Sequence, residues 1–230
     1  QVLWDIVQYK LPSGTSMADR VRSVNLALDV VALAQGVPFF HMGDDLLRSK
    51  SMDKNSYDSG DWFNRIDWTG QSNGWKGGVP LGGDADGTWT LIRTIFADVP
   101  APGAADIAAS SAHFQELLRI RKSTPLFRLR TKADVLARVD FQNGGTGQVP
   151  GVIVMTLTDG TCAGADLDPA LDALVVIVNG DTASHTMTVP GAAGFALHEA
   201  QANGADAVVK TASVTGADFT VPARTTAVFV

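Results

Sequence analysis

The sequence predicts an α/β segment followed by an all-β one, and three observations carry that division. Between Ser16 and His41 a helical apolar period gives way, through Gly36, to the short apolar run VPFFH. Helix, tight turn and buried strand is the order found in parallel α/β units. Near residue 130 the composition changes: all five Trp and both Tyr lie before residue 90, and beyond residue 130 Val, Thr, Ala and Gly dominate. Charge divides at the same place, with 14 basic and 14 acidic residues in 1–130 against 4 and 10 in 131–230. The whole net charge of −6 therefore falls on the second part, as suits a solvated supporting domain with little polar chemistry.

At 230 residues, 45% apolar and 18% charged, the chain is long enough to bury a core as one large domain or two smaller ones. Its acidic balance offers no broad basic face to phosphates, which argues against a nonspecific nucleic-acid binder. The longest apolar runs are interrupted by Gln, Asp or Gly, so none reads as a transmembrane helix. The single cysteine, Cys162, excludes an internal disulfide and is expected to be an inert thiol in a turn. The opening QVLWDIVQYK has neither the basic flank nor the apolar core of a signal peptide. The chain is therefore expected to begin after processing or to be an excerpt of a longer polypeptide.

In chain order, a helix is predicted over residues 16–35. Ser16 caps it, with Asp19 three positions on, and Ala18, Val21, Val24, Leu28 and Val31 form its apolar stripe. The loop leaving the VPFFH run, Met52 to Trp68, reads MDKNSYDSGDWFNRIDW. It gathers charged residues, Asn, Tyr, Phe and Trp around one Gly, a composition suited either to a polyhydroxylated ligand or to an ordered structural loop. Its place after a strand's C-terminal end favours the functional reading. Residues 70–87 are turn-rich, with Trp75 expected to pack the loop onto the body. Helices follow at Trp89–Phe96 and Ala105–Lys122, the second ended by Thr124-Pro125. Its basic cluster of Arg119, Arg121 and Lys122 suits a helix C-terminus better than a phosphate site. Beyond residue 130 the runs VLARVDF, GVIVMTL, ALVVIVNG, HTMTV, AVVKTASV and TAVFV are separated by turns such as Asn143-Gly144, Asp159-Gly160, Asn179-Gly180 and Asn203-Gly204. They predict an antiparallel sandwich or small barrel of six to eight strands.

Candidate chemistry begins with carboxylates, because glycosidic cleavage uses an opposed pair. Asp58 and Asp61 share the central loop and Asp44-Asp45 follow the apolar run, but one loop does not supply the opposed geometry. Asp67 reads as a local hydrogen-bond acceptor. His41, His113, His185 and His198 are widely separated and lack metal-ligand spacing; His41 alone lies near the proposed functional face. No nucleophile elbow or phosphate loop accompanies the Ser, Thr or paired Gly residues.

The stretch GVPFFHMGDDLLRSKSMDKNSYDSGDWFNRIDW resembles the segment around and beyond the eighth barrel strand of pullulanase-type debranching enzymes of glycoside hydrolase family 13. QVLWDIVQYK resembles the stretch directly after that family's His-Asp-Asn segment, ADIAASSAHFQELLRIRKSTPLFRL its helix entering the C-terminal β domain, and VPARTTAVFV its closing strand. The resemblance implies the terminal part of a (β/α)₈ barrel in residues 1–125 and a β-sandwich in 126–230. It implies a retaining hydrolase of α-1,6 branch linkages in pullulan, glycogen or dextrins. The nucleophile Asp, the general-acid Glu and a third essential Asp would all precede Gln1, leaving this chain alone inactive and reliant on the upstream part of the same polypeptide. Substrate-face residues implied here are Arg48, Asn55, Tyr57, Asp58 and Asp61, with Trp62 and Phe63 as lesser candidates. Arg48 would donate to sugar oxygens or tie the loop down. Where many relatives carry Glu, this sequence has Asp45, which shortens any tether from that position. No cofactor or metal is implied, and calcium finds no ligand set. A noncatalytic carbohydrate-binding or structural role is the alternative.

Overall fold

In the computed structural model, which describes residues 2–85, 87–160 and 163–230 but not the side chains of Asp58, Asp84 and Ala85, the chain forms two units. One comprises residues 1–27 and 40–114, the other residues 28–39 and 115–230. Helices and antiparallel sheets are both present, and every described strand lies beyond residue 138.

The first unit is helical: α1 (Leu3–Lys10), the start of α2 (Met17–Leu33), the short α3 (Gly82–Ala85), α4 (Trp89–Asp98) and the first half of α5 (Ala104–Ser123). Helix α2 begins as predicted, because Ser16 Oγ accepts from Asp19 N (3.1 Å) and donates to Asp19 Oδ2 (2.9 Å). Val21, Val24 and Leu28 of its stripe are buried, whereas Ala18 and Val31 are exposed. Arg20 is buried amid this polar–apolar pattern because its guanidinium finds partners throughout. It donates to Gln8 Oε1 (2.6 Å) and to the carbonyls of Pro12, Ser13 and Thr15, closing the α1–α2 connection. Trp75 packs inward as expected. It meets Trp4 and Phe96 edge to face, at 6.0 and 4.8 Å between ring centroids, and its Nε1 donates to Val99 O.

The VPFFH expectation is corrected. Residues 37–41 form no strand, and Val37 and Phe39 are 96% and 87% exposed. A strand exists by pairing, and no described strand pairs with this run.

In the second unit, Arg121 is buried and donates to the carbonyls of Ala32, Ala34 and Gly36, satisfying the acceptors that the end of α2 leaves open. The predicted strand VLARVDF is half helix. Thr131 Oγ1 accepts from Asp134 N and starts α6 (Lys132–Arg138), so β1 is Val139–Phe141 alone. The remaining strands are β2 (Val152–Thr158), β3 (Ala173–Asn179), β4 (His185–Thr188), β5 (Ser213–Thr215), β6 (Asp218–Val221) and β7 (Thr225–Phe229), with the short helix α7 (Glu199–Ala202) before β5. The run AVVKTASV begins as a 3-10 turn at Val209–Thr211 rather than as strand. Strand β6, only four residues between Gly216 and Pro222, escaped the sequence pattern.

All pairings are antiparallel, in a four-stranded sheet ordered β1-β2-β3-β7 and a three-stranded sheet ordered β4-β6-β5. Alternate residues of both sheets supply one core: Val152, Val154, Val175, Ile177 and Phe229 from the first, Phe219 and Val221 from the second. The predicted Asn179-Gly180 turn ties them together. Asn179 is fully buried and its amide donates to Ala183, Val221 and Pro222 carbonyls.

Candidate functional site

The polar–aromatic loop is built on a strained entry. Leu47 (φ 54°), Ser51 (φ 51°) and Met52 (φ 68°) all take left-handed backbone without being glycine, each at a cost of about 1 kcal/mol or more. Asp5, fully buried on α1, holds that entry in place. Its Oδ1 accepts from Ser49 Oγ (2.6 Å), and its Oδ2 accepts from Lys50 N (2.9 Å) and Met52 N (3.2 Å). Ser49 Oγ accepts in turn from Ser51 N, and Ser51 Oγ bonds both N and O of Gly78. Asn73 clasps the same turn through Leu47 O and Ser49 N. Burial pushes the Asp5 carboxyl up to about 6, against the pull of its three donors.

Beyond the entry, Asp53 is a second buried organiser. Its carboxylate accepts from Asn55 N (2.7 Å) and Ser59 Oγ (2.9 Å), setting the two 3-10 turns Ser56–Asp58 and Asp61–Asn64. Lys50 Nζ donates to Ser56 Oγ. Arg48 crosses beneath: Nη1 donates to Met42 O (3.1 Å) and Nη2 to Asn64 O (2.8 Å), joining the two ends of the segment. Among the described residues, Arg48 makes its bonds to main-chain carbonyls on both sides of the loop. With 5% exposure it is a support under the loop.

The other predicted residues lie on the two turns or, for Asn55, just before the first. Tyr57 is 96% exposed, and Asn55 and Asp61 are exposed on the same stretch. The Asp58 side chain lies outside the described residues, as does Cys162. Trp62 and Phe63 stack on each other with opposite fates: Phe63 is buried, while Trp62 remains 45% exposed. Gly77 and Gly78 make room for that indole, since a Cβ on Gly78 would stand 2.6 Å from Trp62 Cη2. Asp67 is the local acceptor expected. Thr69 and Ser72 each donate a backbone N–H and a hydroxyl to it, pulling its pKa down to about 2.

Residues missed from sequence are the buried acceptors, Asp5, Asp53 and Asn73. A carboxylate between Trp4 and Ile6 was their one available signal.

Among the described residues, the other groups singled out by sequence carry no reactive arrangement. His41 is exposed, and partial burial, aided by Arg48 and Lys50, lowers its pKa against Asp44. His198 Nδ1 accepts from Ala200 N, so its proton sits on Nε2 and points at Ser123 Oγ, which itself donates to Ile120 O. That serine has no base. Among the described residues, no cluster of three or more His, Cys, Asp or Glu could hold a metal, and no helix is long and apolar enough to cross a membrane. A cavity of about 360 Å³ opens beside Trp62 in the first unit, and one of about 840 Å³ lies in the second, beside β1 and β2.

Residues 70–230 match the family of alpha-1,6-glucosidases, pullulanase-type, C-terminal. The chain belongs to that family. Pullulanase 1, chloroplastic, of Arabidopsis thaliana is 42% identical over 239 residues, covering 100% of this chain and 25% of that protein. A pullulanase of Klebsiella pneumoniae is 44% identical over 187 residues, covering 81% of this chain and 17% of that protein. The chain thus spans a quarter or less of these two pullulanases. Among solved structures, PulA from Klebsiella oxytoca superposes with a TM-score of 0.92 at 39% identity, over 100% of this chain and 22% of that one. The maltotriose complex of PulA from Klebsiella pneumoniae gives 0.93 at 37% identity, over 98% of this chain and 24% of that one.

Proposed function

We propose that this chain is the C-terminal part of a retaining glycoside hydrolase that cleaves α-1,6 branch linkages in pullulan, glycogen or dextrins. Residues 1–125 complete a (β/α)₈ barrel, and residues 126–230 form the β-sandwich that comes after it. The nucleophile, the general acid and the third essential Asp lie upstream, so this chain alone is inactive. Asn55, Tyr57, Asp58 and Asp61 face the glucan, and Arg48 holds that face up from below.

The observation that carries the reading is a strained, doubly anchored loop, presenting exposed Asn, Tyr and Asp side chains, within a chain of pullulanase-type family. Strain retained under that many anchors is typical of working surfaces. The exposed run at Val37 and Phe39 supports the barrel assignment, because it is the apolar segment that an upstream neighbour strand would cover.

The test compares purified residues 1–230 with the complete polypeptide that carries them, each incubated with pullulan while reducing ends are measured. Release by the complete polypeptide and none by residues 1–230 is the expected result. Release by residues 1–230 alone overturns the division of labour. An upstream sequence lacking both catalytic carboxylates overturns the enzyme, leaving a carbohydrate-binding role.

A further inference from the structure

We propose that His198 is an acid-sensitive latch on the closing edge of the four-stranded sheet, released when its ring takes a second proton. The latch lies wholly within the second unit and is independent of the glucan chemistry proposed above.

Strand β7 pairs with β3 along one edge. Left open, its other edge would be a row of backbone donors and acceptors, a template for unwanted pairing. The segment before and within α7 closes it. Ala196 and Val230 exchange both backbone hydrogen bonds, and His198 N donates to Val228 O (2.8 Å). Gln201, buried on α7, spans the next two groups: its Oε1 accepts from Val228 N and its Nε2 donates to Thr226 O, each at 2.8 Å. Closure of the edge therefore depends on α7 holding Gln201 in place.

Helix α7 has four residues, too few to stand on its own hydrogen bonds, so its start matters. His198 supplies the cap: its Nδ1 accepts from Ala200 N (3.1 Å), where an Asp, Asn or Ser oxygen is usual. A neutral ring can accept there because its one proton sits on Nε2. That nitrogen faces Ser123 Oγ at 3.1 Å, whose own hydrogen goes to Ile120 O. The ring is thus held between α5 and α7 with both nitrogens committed. A second proton has only Nδ1 to enter, where it would face the Ala200 N–H, donor against donor. The new positive charge would also stand at a helix N-terminus, where the dipole opposes it.

The surrounding charges do not cancel this effect. Glu199, exposed on α7, favours the charged ring, but burial outweighs it and lowers the His198 pKa from the ordinary 6.5. Helix α5 brings Ser123 and, in the same last turn, the exposed cations Arg119 and Lys122, while Arg121 is turned to the end of α2. Its Glu116 is occupied by Ala205 N, beyond the far end of α7. Strand β7 carries no ionisable side chain. The folded state favours the neutral ring, so the unfolded chain takes the proton first. Stability from the latch is therefore present at neutral pH and lost as pH falls below 6.5.

Hydrogen exchange of the complete polypeptide tests the latch, read on the Ala200 and Val228 amides and corrected for intrinsic rates. Protection of both is expected to fall about fivefold between about pH 7 and about pH 4.5, as loss of one helix cap gives, while the β2 amides keep theirs. His198→Asn supplies a cap oxygen that does not titrate and is expected to abolish the fall. His198→Ser, another capping residue, gives the same comparison where the Asn variant fails to fold. Level protection in the wild type, an equal fall at β2, or an equal fall in the capped variants overturns the latch.

Discussion

A carboxylate withdrawn from water must recover its partners from the protein, and Asp5 recovers three, from Ser49, Lys50 and Met52. Burial still wins over those donors, lifting its pKa from 3.8 to about 6. Between those two values the folded state holds more protons than the unfolded one, so this group's contribution to stability falls as pH rises from about 4 to about 6 and is constant above. The shift corresponds to about 3 kcal/mol across that window. Melting curves of wild type and Asp5→Asn should therefore diverge in slope between pH 4 and 6, the wild type losing stability relative to the non-titrating amide. Parallel pH profiles would show that Asp5 titrates normally. Sequence alone could not rank Asp5 above Asp61, because burial is decided by what α1 packs against. The residues legible from sequence were those whose partners are local: Ser16 with Asp19, and Asp67 with Thr69 and Ser72.

Elements divide the same way. Helices α2, α4 and α5 emerged near their predicted bounds because capping and apolar period act within a few turns. Strands β2, β3 and β7 were legible because a run of Val, Ile and Leu buried between neighbours leaves few alternatives. The run before β1 reads as strand on its β-branched content, yet the capping Thr131 turns its first half into helix. In the first unit the loop entry is an element of its own, made from side chains 5, 49, 51 and 73 and the backbone of residue 78, which periodicity cannot associate. Its tightest point is Gly74, where left-handed backbone coincides with a carbonyl 2.7 Å from any Cβ. Gly74→Ala should lower the opening free energy of the Ser49–Met52 amides by about 2 kcal/mol or more. Hydrogen exchange of those amides measures it, and unchanged protection would mean that the turn does not depend on that approach.

At the scale of the whole molecule, an apolar run left in water sets the terms. Val37 and Phe39 stand 96% and 87% exposed, and Val30 and Val31 of α2 are also open, at 44% and 38%. If upstream barrel strands cover them, the amides of Val37, Phe39, Phe40 and His41 should exchange freely in the 230-residue chain and be protected in the complete polypeptide. Equal exchange in both would remove the barrel from the proposal. The sequence by itself determined the helix-rich and β-rich division, the family resemblance and the loop worth attention, since composition, period and short motifs are properties of neighbours along the chain. Tertiary structure alone decided that Arg48 supports the loop, that Asp5 and Asp53 organise it, and that Trp62 rather than Phe63 meets solvent. Those outcomes depend on which groups lose water when distant segments meet, and burial is set by contacts between residues the chain keeps far apart.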